Sequence, residues 1–254
     1  MTAPDRPRAR LFVAAALADG VAVALAGDRA HHLRTVLRLA PGDTVALFNG
    51  ADGEWAARIE TLDKGAASLS VVRRRRAQAA GTDLWLCFAP LKKAATGFVV
   101  EKATELGASV LLPVLTRRTS TARVNIDRLG ANAVAAAEQC ERLDVPAVRP
   151  PVALAVLLAG WPADRALLLC AEAGPAPPVA DLAPRLAGRP AAILVGPEGG
   201  FAKSELDGLG KLPFVHAVGL GPRILRADTA ALAALACWQA LAGDGRGRPP
   251  DRDA

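Results

Sequence analysis

Four short stretches of this chain are apolar from end to end: residues 84–89 (LWLCFA), 110–114 (VLLPV), 166–170 (ALLLC) and 191–195 (AAILV). A strand with one wet face alternates apolar and polar residues, whereas a strand lacking polar residues is covered on both faces. Segments of helical spacing separate these runs. Residues 96–106 form one, closed by Gly107 at a C′ position, and residues 126–143 form another, ending before Pro146. Residues 203–209 and 229–241 read as further helices, and residues 214–219 as a strand. Strands alternating with helices predict an α/β domain with a mostly parallel, doubly covered sheet.

The first part of the chain has a different rhythm. Residues 10–13, 44–49, 54–59 and 68–72 read as short strands, with the turn Pro41-Gly42-Asp43 and the hairpin loop 50–53 between them. A short helix over residues 29–37, with Asp28 as its N-cap, lies among them. This pattern predicts a small β-barrel. The run Arg73 to Arg76 and the soft stretch 77–82 mark the boundary. The expected division is 1–76, a barrel, and 77–254, an α/β domain, with a frayed Gly/Pro/Asp/Arg-rich tail over residues 243–254.

Composition narrows the partners. The net charge is +6, which favours a polyanion, because neutralised phosphates release counterions. Tyrosine is absent, which argues against a base-stacking platform. Cys87, Cys140, Cys170 and Cys237 are scattered, and His31, His32 and His216 lack ligand spacing, so no metal is expected. No apolar run is long enough for a membrane span, and no h-region follows the basic residues 1–10, so the expected location is the cytoplasm.

Two glycine-rich loops follow apolar runs in the second part. The first is Gly196-Pro197-Glu198-Gly199-Gly200-Phe201; the second is Gly219-Leu220-Gly221-Pro222-Arg223-Ile224-Leu225-Arg226. Neither has the spacing of a dinucleotide fingerprint or a P-loop, so NAD and ATP are unsupported. Loops of this kind suit a ligand held by backbone groups; they equally suit plain strand-to-helix turns. Arg223 and Arg226 can fork onto phosphate or face a developing oxyanion, and Asp228 or Thr229 can cap the last helix. Glu138 and Arg142 are placed as i,i+4 partners on a solvated helix face, and Glu101 to Gly107 reads the same way. Arg10, Arg34 and Arg38 are candidate phosphate contacts, with Arg34 and Arg38 on one helical face.

Six segments in order now carry a resemblance: Arg10 to Val13; His32 to Leu39 with Pro41-Gly42-Asp43; Glu101 to Gly107; Ala137-Glu138-Gln139 with Arg142 and Val145-Pro146; Gly196 to Phe201; and Gly219 to Thr229. Over residues 10–242 the chain resembles the RsmE-type 16S ribosomal RNA methyltransferases of the SPOUT superfamily. The resemblance implies a PUA-like RNA-binding barrel and a methyltransferase domain with a deep trefoil knot. It also implies a homodimer acting on the small ribosomal subunit, with S-adenosylmethionine as cofactor and N3 of a uridine (the 1498 type) as target. The cofactor would lie against Leu194, Gly196, Glu198, Gly199, Gly200, Leu220, Gly221, Ile224, Leu225 and Arg226. Arg10, Arg34, Arg38 and Arg223 would meet RNA. Arg226 is the expected stabiliser of charge on the uracil oxygens, and Glu198 a candidate base, with a loop-structuring role equally open to it.

Two positions depart from the family pattern. Asp228 stands where Glu is usual. Ala202 stands where Ser or Thr would cap the next helix together with Glu205, a loss of about 1 kcal/mol. Rival readings are a SPOUT 2′-O-ribose methyltransferase, a non-catalytic RNA-binding assembly factor, and an adenine-nucleotide enzyme.

Overall fold

A computed structural model describes residues 7–121, 123–171 and 174–248. The chain divides into two compact units. Expectations on residues 1–6 and 249–254 lie outside the described residues.

The first unit comprises described residues up to Ala80 together with 137–144. Its strands are β1 (Arg10–Phe12), β2 (Ala22–Ala26), β3 (Thr44–Phe48), β4 (Glu54–Leu62) and β5 (Ala66–Arg76). They form one five-stranded sheet in the order β1-β3-β4-β5-β2, antiparallel except for β1 beside β3. Strand β2 is not among the strands expected from the sequence: it alternates exposed alanines with buried Val23 and Leu25. The core gathers Leu11, Val23, Leu47, Ile59 and Leu69 from these strands, with Leu33 packed against them.

Helix α1 (Asp28–His31) starts one residue earlier than expected: Gly27 is its N-cap and Asp28 its first residue. It continues as a π-helical turn over His32–Val36. Arg38 lies beyond that turn at φ 54°, so it does not share a helical face with Arg34. Arg73 to Arg76 form the last residues of β5.

The second unit holds β6 (Leu84–Phe88), α2 (Lys93–Glu105), β7 (Val110–Leu115) and α3 (Ile126–Cys140), whose last residues count with the first unit. Next come β8 (Ala147–Val148), β9 (Val152–Ala153), α4 (Leu154–Ala159), β10 (Ala166–Cys170) and α5 (Val179–Leu182). The unit closes with β11 (Ala191–Val195), α6 (Lys203–Leu209), β12 (Val215–Val218) and α7 (Ala227–Leu241). The sheet order is β12-β10-β11-β6-β7-β8, with every pairing parallel.

The wholly apolar strands serve two cores at once. Leu84, Leu86, Phe88, Leu168, Ile193 and Val195 face one layer with α2 and α7. Cys87, Leu167, Leu169, Ala192 and Leu194 face the opposite layer, with Trp161 and Leu209. Period-2 alternation thus sends apolar residues to both sides, as expected for a doubly covered parallel sheet.

The described end of the chain is not frayed. Asp244 N–H donates to Gln239 Oε1 at 3.0 Å, and Gly245 N–H to Gln239 O at 2.9 Å. Gln239 is buried and also donates to Leu106 O at 2.8 Å, so the segment turns back on a fixed amide.

Candidate functional site

The glycine loops leave β11 and β12 at their C-terminal ends, on either side of β10. Strands two apart in a sheet are about 9–10 Å apart, so the loops face each other across a gap of nucleoside width. Clefts at this edge of parallel sheets are where small ligands bind.

The first loop begins at buried Gly196. A Cβ there would lie 2.8 Å from the Phe201 ring, so the glycine leaves room for an aromatic side chain that folds back under its own loop. Gly200 N–H donates to Pro197 O at 2.8 Å and closes a turn that leaves Glu198 and Gly199 exposed at its tip. The turn is held from outside. Arg118 Nη1 donates to Gly199 O at 2.8 Å. Glu205 Oε2 accepts the Ala202 N–H at 2.8 Å, and Oε1 accepts the Arg117 N–H at 2.9 Å. Half of the capping box therefore survives: alanine cannot accept, but Glu205 still reaches back to the start of α6. Neither Arg117 nor Arg118 belongs to a motif, so sequence pattern gave no sign of them.

The second loop is tied to the segment after β10. Gly219 N–H donates to Pro177 O at 2.8 Å, and Val179 N–H to Gly219 O at 3.0 Å. Gly221 has φ +105°, a backbone region that side chains rarely tolerate. Leu220 and Leu225 are half-buried, while Ile224 is 83% exposed. No acceptor for the N–H groups of Leu220, Ile224 and Leu225 is found among the described residues. Unpartnered donors beside an exposed isoleucine form a surface suited to a planar ligand with an acceptor edge.

Arg223 and Arg226 are exposed. Arg226 is the N-cap residue of α7, with Ala230 N–H on its carbonyl at 2.8 Å. Asp228 is not the cap: it sits inside the first turn and accepts the Thr229 N–H at 2.7 Å. Leu194, expected at the ligand, is fully buried in the apolar layer.

The first unit corrects several expectations. Arg10 is not presented to a phosphate: its side chain is 11% exposed. Its nitrogens donate to Glu54 Oε2 (2.7 Å), Ala137 O (2.7 Å) and Arg142 O (2.5 Å), and it stacks 3.7 Å over the Phe48 ring. Burial holds its pKa below the usual arginine value, against the pull of Glu54. Arg75 also reaches Glu54, at 2.8 Å, and Arg76 lies 3.6 Å from it. Only Arg73 and Arg74 of the run are exposed, as are Arg34 and Arg38.

Glu138 and Arg142 are not helix partners, because α3 ends at Cys140 and Glu141 has φ 62°. Glu138 accepts the Phe12 N–H at 2.9 Å, and Arg142 pairs with Asp144 at 3.0 Å. Lys102, in the stretch expected on a solvated face, bridges Glu101 and Glu105 at 2.8 Å each.

Among the described residues there is no group of three or more His, Cys, Asp or Glu arranged for a metal, and no helix is long and apolar enough to cross a membrane.

Residues 78–239 match the RNA methyltransferase domain family, and residues 25–72 the RNA methyltransferase PUA domain family. Ribosomal RNA small subunit methyltransferase E of Rickettsia conorii is 32% identical, over 89% of this chain and 93% of its own length. The Mycobacterium bovis protein of the same name is 32% identical, over 93% and 96%. The crystal structure of the Neisseria gonorrhoeae enzyme of that name, bound to S-adenosyl methionine, superposes with a TM-score of 0.86. It is 29% identical and covers 93% of this chain and 98% of that one. On the matched residues and the shared two-part fold, the chain belongs to the ribosomal RNA small subunit methyltransferase E family, with a PUA-like unit and an α/β RNA methyltransferase domain.

Proposed function

We propose that the protein transfers a methyl group from S-adenosylmethionine to N3 of a uridine in the 16S RNA of the small ribosomal subunit, at the position of type 1498. One observation carries the reading: paired glycine loops flank β10, and the backbone donors of Leu220, Ile224 and Leu225 have no acceptor among the described residues, in a chain of this family. Those donors fit an adenine edge, and the relative bound to S-adenosyl methionine supports the choice. Gly196, Glu198, Gly199 and Gly200 form one wall, and Leu220, Gly221, Ile224, Leu225 and Arg226 the other.

When bound, the cofactor supplies a methyl group on a positively charged sulfur, which becomes a neutral thioether as N3 takes the methyl. The protein has to orient the uracil and deal with the N3 proton. Arg226, with Arg223 beside it, donates to the uracil oxygens as N3 becomes anionic. Glu198 is exposed and makes no bond within its loop, so of its two possible roles proton acceptance is favoured over loop structuring. Arg34, Arg38, Arg73 and Arg74 grip RNA phosphates. The reading includes a homodimer, checked by sedimentation, and action in the cytoplasm.

The test is a map of 3-methyluridine in 16S RNA from a strain lacking the gene, with and without its restoration. Loss and recovery at one uridine is the expected result. An unchanged map, or a methyl found on ribose, overturns the proposal.

A further inference from the structure

The loops after β6 and β7 enclose a cavity of about 290 Å³ that none of the glycine-loop residues lines. Pro90, Leu91, Val124 and Leu129 supply apolar lining; Thr121, Arg123 and Asn125 supply polar groups. Its volume is near the lower end of the roughly 300–1,000 Å³ typical of small-molecule sites, so it suits a single ring better than a whole nucleotide.

The cavity walls are bonded to the first glycine loop on two sides. Ala89, just before Pro90, donates its N–H to Val195 O at 3.0 Å, immediately ahead of Gly196. The loop after β7 reaches Gly199 through Arg118 and α6 through Arg117, then runs on to form the cavity wall at Thr121 and Arg123. The cavity opens at the same edge of the sheet as the glycine loops, one strand beyond β11.

We propose that this cavity receives the pyrimidine base to be modified, turned out of its RNA strand, with Arg123 meeting one of its carbonyl oxygens and the other left to Arg226. The inference rests on the reading of the protein as a uridine methyltransferase. An enzyme acting on a ring atom of a base needs that base unstacked and seated in a fitted pocket. The apolar lining replaces the lost stacking, and the polar groups read the edge of the base. Asn125 suits this role: it lines the cavity, and because its Oδ1 accepts the Arg128 N–H at 2.9 Å, its amide NH₂ remains as a donor. An arginine can donate to one of the two oxygens that flank N3 of uracil, which leaves N3 itself open to the methyl group. Thr96 sets the depth of the site: it is buried, accepts the Leu91 N–H at 2.9 Å and donates to Leu91 O at 2.9 Å, which holds the apolar wall in place.

The test uses full-length protein with S-adenosylmethionine, and small subunits reconstituted with 16S RNA that carries 4-thiouridine. After irradiation, crosslinked peptides are identified by mass spectrometry. Crosslinks within residues 90–96 or 121–129 are expected. Arg123→Ala is expected to cut their yield at least tenfold while leaving cofactor affinity and melting temperature unchanged, which a merely structural residue would not do. Crosslinks confined to other peptides overturn the pocket, as does a yield unaffected by Arg123→Ala. Methyl transfer by the wild-type protein is measured in parallel. Crosslinking at the pocket without transfer sinks the methyltransferase reading and keeps a base-binding pocket; transfer without it sinks the pocket alone.

Discussion

Arg10 Nε donates to Glu54 Oε2 at 2.7 Å, between side chains 11% and 3% exposed. Arg75 and Arg76 approach the same carboxylate, so one buried acid holds three guanidinium groups. Removing one partner of a buried pair leaves a charge uncompensated, which costs about 3–5 kcal/mol. Glu54→Gln should therefore lower unfolding free energy in denaturant titration by about that amount. A loss below 1 kcal/mol would show that water reaches these arginines.

The arginine run divides by role. Arg73 and Arg74 are exposed, whereas Arg75 and Arg76 are bound to Glu54. Replacing the first two with Gln should leave the melting temperature unchanged and reduce the salt slope of RNA binding by about 1–2, since each single-strand phosphate contact contributes about 0.7. Replacing Arg75 should instead lower the melting temperature. An unchanged salt slope in the first variant removes the pair from the interface.

Gly196 is coupled to Phe201 by space alone. Gly196→Ala would place a methyl group 2.8 Å from the ring, and overpacking of this kind costs about 1–3 kcal/mol. Calorimetry should show weakened S-adenosylmethionine binding, with partial recovery when Phe201→Leu is added. Absence of recovery would mean that the glycine serves the ligand directly.

Arg226→Ala should reduce methyl transfer by about 10²–10³-fold, the usual effect of losing one donor to a developing oxyanion. Glu198→Gln should reduce it by about 10²-fold with cofactor affinity retained. Single-turnover rates measured beside calorimetry separate the two effects. Transfer near the wild-type rate in either variant removes that residue from the chemistry.

Cys87 is fully buried and Cys170 nearly so, and burial pushes both thiols up to about 12 from an ordinary 9.0. Arg165 pulls Cys87 slightly back, and Cys237 adds to the rise at Cys170. A raised thiol pKa favours the native state below pH 9 and withdraws that support as pH climbs from 9 towards 12, where only the unfolded chain ionises freely. Denaturant midpoints should fall over that interval, and less steeply in Cys87→Ala and Cys170→Ala variants compared with their own neutral-pH values. At neutral pH, alkylation of these two thiols should require unfolding.

Much of the second unit was legible because its strands advertise themselves. Five consecutive apolar residues at 166–170 and again at 191–195 leave little choice but a doubly covered strand, and both match the observed bounds. Side-chain partnerships across long separations were not legible. Spacing suggested that Glu138 and Arg142 face one another, but a left-handed residue at Glu141 ends the helix between them. Arg10 looked like a surface cation because nothing local to it announces Glu54, forty-four positions away. The glycine loops could be found by pattern, yet Arg118 and Glu205, which fix the first of them, are ordinary residues whose importance arises only when the chain folds.

Glu205 divides its two oxygens between the Ala202 and Arg117 amides, so one carboxylate is a common hinge pin for the glycine loop and the loop walling the cavity. Neither loop can swing away without taking an anchor from the other. Any ligand that quiets one loop lowers the entropy still to be lost in ordering its neighbour, and by reciprocity the second ligand does the same for the first. A donor and an acceptor seated on loops pinned in this way would favour each other's arrival before any bond between them is made.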